Sequence, residues 1–223
     1  MRINKFVAQA TGLSRRAADT AIADGRVTVN SVAASAGSQT AADDIITLDG
    51  QIITIDSTVT TIKFNKPVGY VVSRNGQGSK TIYELLPAEF HQLKPIGRLD
   101  KDSSGLLLLT NDGDLANDLT HPSRQKRKVY EVTLDKALQP LHRQLIADKG
   151  ITLEDGLSQL GLERQQDGDD TRWIVSMHEG RNRQIRRTFS AVGYEVTRLH
   201  RTTFASWSLE SLKPGAFETI TIT

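Results

Sequence analysis

Gly97-Arg98-Leu99-Asp100-Lys101-Asp102-Ser103-Ser104-Gly105-Leu106-Leu107-Leu108-Leu109-Thr110-Asn111-Asp112-Gly113 decides how the rest of the chain is read. A polar turn carrying one arginine and two carboxylates runs directly into four consecutive leucines. Gly105 and Asn111-Asp112-Gly113 bound the leucines. A short apolar run between turn signals predicts a strand buried on both faces. Such a strand is a rigid support, so the loop before it is held in place at the edge of a core. A carboxylate pinned there is a candidate for chemistry. A solvated turn that caps the strand is the other reading of the same residues.

Outward toward the N-terminus, Ile62-Lys63-Phe64 predicts a strand ended by Asn65-Lys66-Pro67-Val68-Gly69. Pro67 favours an extended Lys66. Tyr70–Ser73 continues the strand. Asn75-Gly76-Gln77-Gly78 predicts a flexible turn, disordered in the free protein, and Thr81–Leu86 a short helix stopped by Pro87. The polar stretch 57–61 predicts a linker, which sets domains at 1–57 and 58–223.

The first of these predicts two helices over 2–24, with Ser14 capping the second (Arg15–Asp24) and Gly25 closing it. A short strand follows at 26–29. Asp49-Gly50 between Ile45–Leu48 and Gln51–Ile55 predicts a two-residue hairpin. Residues 1–26 hold Arg2, Lys5, Arg15, Arg16 and Arg26 against Asp19 and Asp24. That basic surface suits phosphates, or is a solvated helix face.

Outward toward the C-terminus, His121–Lys128 is a basic loop. Val129–Leu134 alternates as a strand, with Tyr130 and Val132 on one face. Gln139–Lys149 predicts a helix ending at Gly150. Residues 154–170 are acidic and predict a loop-rich segment remote from any nucleic acid, and Arg172–Met177 predicts a strand. Glu179–Phe189 leads into a helix ending near Gly193. Tyr194–Arg201 predicts a strand with Leu199 sharing a face with Thr197 and Arg201. Residues 172–201 hold seven arginines against Glu179 and Glu195. Arginine forks suit phosphates and carboxylates in fixed geometry.

Composition bounds the classes. The 223 residues carry a net charge of only +2, so a nucleic-acid footprint has to come from local clustering. There is no cysteine, which excludes disulfides, thiolate metal sites and a cysteine nucleophile. No apolar run approaches the roughly 20 residues that span a bilayer, and no signal-peptide core opens the chain. The expectation is a soluble, cytoplasmic monomer. Asp100–Gly105 imitates the start of a calcium loop, but the later ligand positions fall on leucines and Asn111. It also imitates an aspartyl-phosphate loop, which should follow its strand and here precedes it. The five histidines lack metal-ligand spacing, and no phosphate-cradling glycine loop or nucleophile elbow is present. A fixed aspartate, a strand tyrosine and an arginine-rich helix start remain.

G-R-L-D-K-D-S-S-G-L-L-L-L-T-N-D-G-D-L, with N-K-P-V-G, K-V-Y-E-V and E-G-R-N-R-Q-I-R-R, resembles the RsuA/RluB group of ribosomal RNA pseudouridine synthases. R-I-N-K-F-V-A, S-R-R-A-A-D and G-R-V-T-V-N resemble the S4-like RNA-binding domain. The resemblance implies an α+β fold: a small S4-like domain, then a catalytic domain with a mixed, mainly antiparallel sheet flanked by helices. It implies conversion of a uridine in ribosomal RNA to pseudouridine without cofactor or metal. Asp100 falls on the nucleophile, Tyr130 on the base-stacking tyrosine and Arg186 on the basic partner of the aspartate. Leu199 falls on a pocket-lining apolar residue, and Arg98 on a position that would hold the flipped-out nucleotide. Lys66 and Pro67 fall on a structural motif, and Asp102 becomes a loop residue. Ser104 departs from the polar or acidic residue of many relatives. Lys5, Arg15, Arg16, Arg181, Arg183 and Arg187 are the expected RNA contacts. The H-P-S-R and N-D-G-D-L-A-N segments favour large-subunit RNA. The alternatives are a small-subunit uridine, a catalytically silent rRNA-binding assembly factor, and an aspartate-nucleophile hydrolase of nucleosides.

Overall fold

The computed structural model describes residues 1–55 and 58–221. The chain divides into two compact units, Met1–Val59 and Thr60 onward. Ser57, the expected end of the first domain, lies outside the described residues. No helix among the described residues is long and apolar enough to cross a membrane.

In the first unit α1 (Ile3–Thr11) packs on α2 (Arg15–Ala23). Ile3, Val7, Ala18 and Ile22 bury the facing stripe. The Ser14 hydroxyl accepts from the Ala17 amide at 3.1 Å, which satisfies one open donor of α2. A four-stranded sheet follows: β1 (Val27–Val29), β2 (Val32–Ala33), β3 (Ile46–Leu48) and β4 (Gln51–Ile52), in the order β2-β1-β3-β4. The β3–β4 connection is the expected two-residue turn. Asp49 and Gly50 both have positive φ, 52° and 77°, as the hairpin's right-handed twist demands.

The second unit is organised on β5 (Thr61–Lys66), β6 (Lys94–Ile96), β7 (Ser104–Thr110) and β8 (Lys128–Leu134). Two hairpin pieces β9 (Ile151–Leu153) and β10 (Gly156–Ser158) precede β11 (Gly161–Arg164), β12 (Arg172–Met177) and β13 (Val196–Phe204). Short strands β14 (Trp207–Ser208) and β15 (Phe217–Thr219) end it. The main sheet runs β11-β12-β8-β13-β7-β5-β15, with β14 on β13 and β6 on β7. Every pairing is antiparallel except β13 with β7. Helices α3 (Gly113–Thr120), α4 (Pro140–Gln144) and α5 (Gln184–Ala191) flank it, giving the expected mixed, mainly antiparallel α+β unit.

The leucine strand is the centre. Leu106, Leu107, Leu108 and Leu109 are all fully buried. Alternation sends Leu107 and Leu109 into one core with Phe64, Trp173 and Phe189, and Leu106 and Leu108 into a second with Ile96, Leu119 and Phe204. Each leucine contributes roughly 2 kcal/mol of transfer free energy, so β7 cannot shift without exposing both cores.

Several local expectations are corrected. Tyr70–Ser73 is not strand. With Gly69 at φ 92° the chain turns away from β5, and Val71 makes only a lone bridge to Thr81. Asn75–Gly78 keeps the expected turn, closed by the Ser79 amide on the Gly76 carbonyl at 2.8 Å. The short helix after it is a single 3-10 turn, Ile82–Leu85, closed by a Thr81–Glu84 capping box. The expected helix over 139–149 starts as α4 and finishes as a π-turn, Leu145–Lys149. Within 154–170, expected to be loop-rich, lie β10 and β11. Thr197 leaves the face of Leu199 because β13 slips register between Val196 and Arg198.

Candidate active site

The loop from Asp100 to Ser103 is a tight turn, its Ser103 amide on the Asp100 carbonyl at 3.1 Å. It is anchored from below by Lys66, at the end of β5. That side chain is fully buried, and its ammonium donates to three carbonyl oxygens: Ser103 at 2.7 Å, Asp100 at 2.9 Å and Pro67 at 3.1 Å. The Gly69 amide adds a bond to the Lys101 carbonyl at 2.7 Å. Burial pushes the Lys66 ammonium down to about 8, against the upward pull of the Asp100 and Asp102 charges.

Above the turn opens a cleft of about 1070 Å³ within the second unit. Asp100, Arg98, Tyr130, Leu199, Arg181, Arg183 and Arg201 are among the residues that line it. Tyr130 on β8 stands directly opposite Arg201 on β13, and Leu199 opposite Val132. Tyr130, Leu199 and Arg201 are all buried. The Tyr130 hydroxyl thus has the cleft where a partner would be needed. Arg98 is exposed.

The start of α5 supplies the arginines. Arg183 caps the helix in a left-handed conformation, φ 45° and ψ 33°, which costs a non-glycine residue about 1 kcal/mol. Its guanidinium grips both Asp102 oxygens at 3.0 and 2.9 Å and touches one Asp100 oxygen at 3.5 Å. Arg186 does not reach Asp100. It donates to the Asp102 carbonyl at 2.9 Å and the Val196 carbonyl at 2.5 Å, and lies 3.3 Å from the Asp102 carboxylate. Asp102 is therefore more than the loop residue expected from sequence: two arginines meet on it. Hydrogen bonding from Arg183, with the Arg186 and Arg183 charges, holds its carboxyl below the usual range. Burial lowers Arg186, with the Asp102 charge opposing.

Arg181 and Arg187 are committed to protein. Both hold Asp155, Arg181 at 2.9 Å and Arg187 at 3.0 and 2.6 Å. Asp155, in the acidic segment expected to lie remote from RNA, thus supplies a counter-ion to the arginine cluster. Of the first-unit residues, Arg15 and Arg16 are exposed, and Arg15 donates to the Asn4 side chain at 3.3 Å. Lys5 is half-buried on α1.

Three residues gain significance only here. Lys66 is the anchor of the turn. Ser103 is buried, with its hydroxyl unpartnered among the described residues. Arg201 is a buried cation that donates through Nε to the Leu106 carbonyl at 2.8 Å, lies over the Phe204 ring and leaves Nη2 unpartnered. Its place on the face of Leu199 was the one available sequence signal, through strand alternation. No group of three or more potential metal-ligating side chains occurs among the described residues.

Known proteins resemble this chain over most of its length. A family model described as RNA pseudouridylate synthase matches residues 60–191. The chain is 35% identical to the ribosomal large subunit pseudouridine synthase B of Bacillus subtilis (strain 168), covering 96% of this chain and 89% of that protein. It is 37% identical to the protein of the same name from Xanthomonas campestris pv. campestris, covering 93% of this chain, but it spans only 44% of that protein's length. A crystal structure of a pseudouridylate synthase superposes with a TM-score of 0.71 at 31% identity, covering 99% of this chain and 96% of the other. The matched segment contains β5, the Asp100 turn, β8 and α5, and the chain belongs to the RNA pseudouridylate synthase family.

Proposed function

We propose that this chain converts a specific uridine of ribosomal RNA to pseudouridine, with Asp100 as the nucleophile. The observation that carries the reading is the state of the Asp100 carboxylate. It is fixed by a triply anchored turn, it faces the cleft, and among the described residues only one of its oxygens is engaged, at 3.5 Å. An oriented carboxylate with a free oxygen is competent to attack.

The target uridine flips out of its helix and enters between Tyr130 and Leu199. Tyr130 stacks on the base. The Asp100 carboxylate bonds to ribose C1′ as the bond from C1′ to uracil N1 breaks. The freed uracil turns, its C5 joins C1′ as the bond to Asp100 breaks, and the C5 proton leaves as N1 gains one, so the overall step is an isomerisation. Arg186 acts as the basic partner of the site by fixing the Asp102 backbone next to the nucleophile. Arg98, Arg183, Arg181 and Arg187 contact the RNA backbone, Arg183 after release from Asp102 and the last two after release from Asp155.

The first unit serves as an S4-like RNA-binding domain, with Lys5, Arg15 and Arg16 toward phosphates. The protein acts as a monomer on ribosomal RNA in the cytoplasm. Large-subunit RNA is the favoured substrate, supported by the names of the Bacillus and Xanthomonas relatives.

The deciding measurement is tritium release from ribosomal RNA labelled at uracil C5. The wild type releases label, and Asp100→Asn releases none while binding the same RNA. Label release by Asp100→Asn would remove Asp100 from the role. No release by the wild type, from deproteinised or partly assembled RNA, would favour a silent assembly factor.

A further inference from the structure

The turn between β9 and β10 presents one carboxylate, Asp155, and two arginines of the α5 region close on it. Arg187 takes both of its oxygens, at 3.0 and 2.6 Å, and Arg181 meets Oδ1 at 2.9 Å. A carboxylate in an arginine fork occupies the donors that would otherwise hold a phosphate. Hydrogen bonding from Arg187, with the Arg181 and Arg187 charges, keeps the Asp155 carboxyl below the usual range. The three groups together therefore show one positive charge where the arginines alone would show two.

The hairpin does not depend on that carboxylate to stay on α5. The fully buried Ser158 hydroxyl meets Thr188 Oγ1 at 2.8 Å and accepts from the Gln184 side chain at 3.1 Å. Arg181 adds a bond to the Leu157 carbonyl at 2.8 Å. The attachment is made by a dry, connected network beneath the hairpin. Asp155 and its two partners lie above it and stay partly exposed to water. Ion pairs so exposed add little to a fold. What Asp155 changes is the charge that this face shows to a polyanion.

We propose that Asp155 is an intramolecular stand-in for an RNA phosphate, which the RNA backbone displaces from Arg181 and Arg187 when it binds. It touches no reacting atom and sets how tightly the enzyme holds its RNA. The proposal rests on the reading of Arg181 and Arg187 as RNA contacts. A purely structural ion pair is the competing account, and the two differ in sign. If Asp155 competes with phosphate, removing its charge tightens RNA binding. If Asp155 places the arginines for RNA, removing it loosens binding.

Equilibrium binding of the full chain to deproteinised ribosomal RNA, measured over a series of salt concentrations, separates them. The proteins are the wild type, Asp155→Asn, Asp155→Glu, Glu154→Gln and Arg187→Gln. Asp155→Asn is expected to bind roughly threefold to tenfold tighter, the scale of one or two exposed ion pairs. Its slope of log affinity against log salt is expected to steepen by about 0.7 to 0.9, one further phosphate contact. Asp155→Glu should stay near the wild type, because it still fills the forks. Glu154, exposed beside Asp155, acts on Arg187 through its charge alone. Glu154→Gln therefore removes the same charge without freeing a guanidinium, and should change affinity by less than about twofold.

An Asp155→Asn protein that binds as the wild type does, or more weakly, would overturn the proposal. An equal gain from Glu154→Gln would do the same, since it would show a general charge effect. An Asp155→Asn chain that does not fold would assign the residue to the fold instead. Arg187→Gln reports separately on the underlying reading. Binding unchanged in that variant refutes Arg187 as an RNA contact, whereas weaker binding there without a gain in Asp155→Asn refutes only the role of Asp155.

Discussion

The Lys66 ammonium lies 2.9 Å from the carbonyl oxygen of Asp100, so the last residue of β5 holds the backbone of the proposed nucleophile. The same ammonium satisfies Ser103 and Pro67. A fully buried lysine is tolerated only when its charge is met by such acceptors. Lys66→Met would leave three carbonyls with a lost donor in a dry site. We expect a loss of about 3 kcal/mol or more in folding stability, read from urea denaturation, together with a fall in tritium release from the folded fraction. A variant as stable as the wild type would mean that water replaces the ammonium there.

The same residue makes a pH prediction. Burial lowers the Lys66 ammonium from its ordinary 10.5 to about 8. Between those values the unfolded chain holds the proton and the folded chain does not. Stability then rises with pH across that window through this group, since the unfolded state binds more protons. Below about 8 both states are protonated and the burial penalty is felt in full. Urea midpoints of wild type and Lys66→Met from about pH 7.5 to about 10 should therefore diverge, the wild type gaining relative to the variant as pH rises. Parallel curves would show that Lys66 does not titrate in that range.

Gly105 is the second residue of β7, and its replacement tests how closely β7 and β13 approach. A Cβ there would lie 2.2 Å from the Arg201 carbonyl oxygen and 2.5 Å from its amide nitrogen, with φ at 109°. Backbone cannot yield as a side-chain tip can, and few L residues adopt that φ. Gly105→Ala should destabilise the chain by about 3 kcal/mol and lower tritium release by shifting Arg201 and Leu199 together. A thermal melt within a degree or so of wild type would contradict the close approach.

The sheet's centre was legible because four leucines between turn signals leave few alternatives, and two cores claim them alternately. Tyr130 was legible from strand alternation. Asp100 was legible only through the family resemblance, since a lone turn aspartate also reads as a solvated cap. The partners were not legible. Which of Arg183 and Arg186 reaches which acid depends on side-chain paths across more than 80 residues of chain. Lys66 is a residue type that sequence reasoning sends to the surface, and only its place at the end of a buried strand makes it an anchor. The slip at Thr197 and the π-turn at Leu145–Lys149 carry no composition signal, because both are set by what packs against them.

The first unit offers the remaining test. Lys5, Arg15 and Arg16 stand on two short helices, with Arg15 and Arg16 exposed at the start of α2. A cation that neutralises a phosphate releases a counterion, so each true contact adds to the slope of log affinity against log salt, by about 0.7 for single-stranded and 0.9 for duplex DNA. Replacing Arg15 and Arg16 by Ala should leave α2 intact, because Ser14 still caps it and alanine favours helix. Affinity for ribosomal RNA should then fall at low salt, and the slope should shrink by roughly one to two. The rate of tritium release at saturating RNA should stay near that of the wild type, since every side chain lining the cleft belongs to the second unit. An unchanged slope would show that these arginines are solvated rather than RNA-facing.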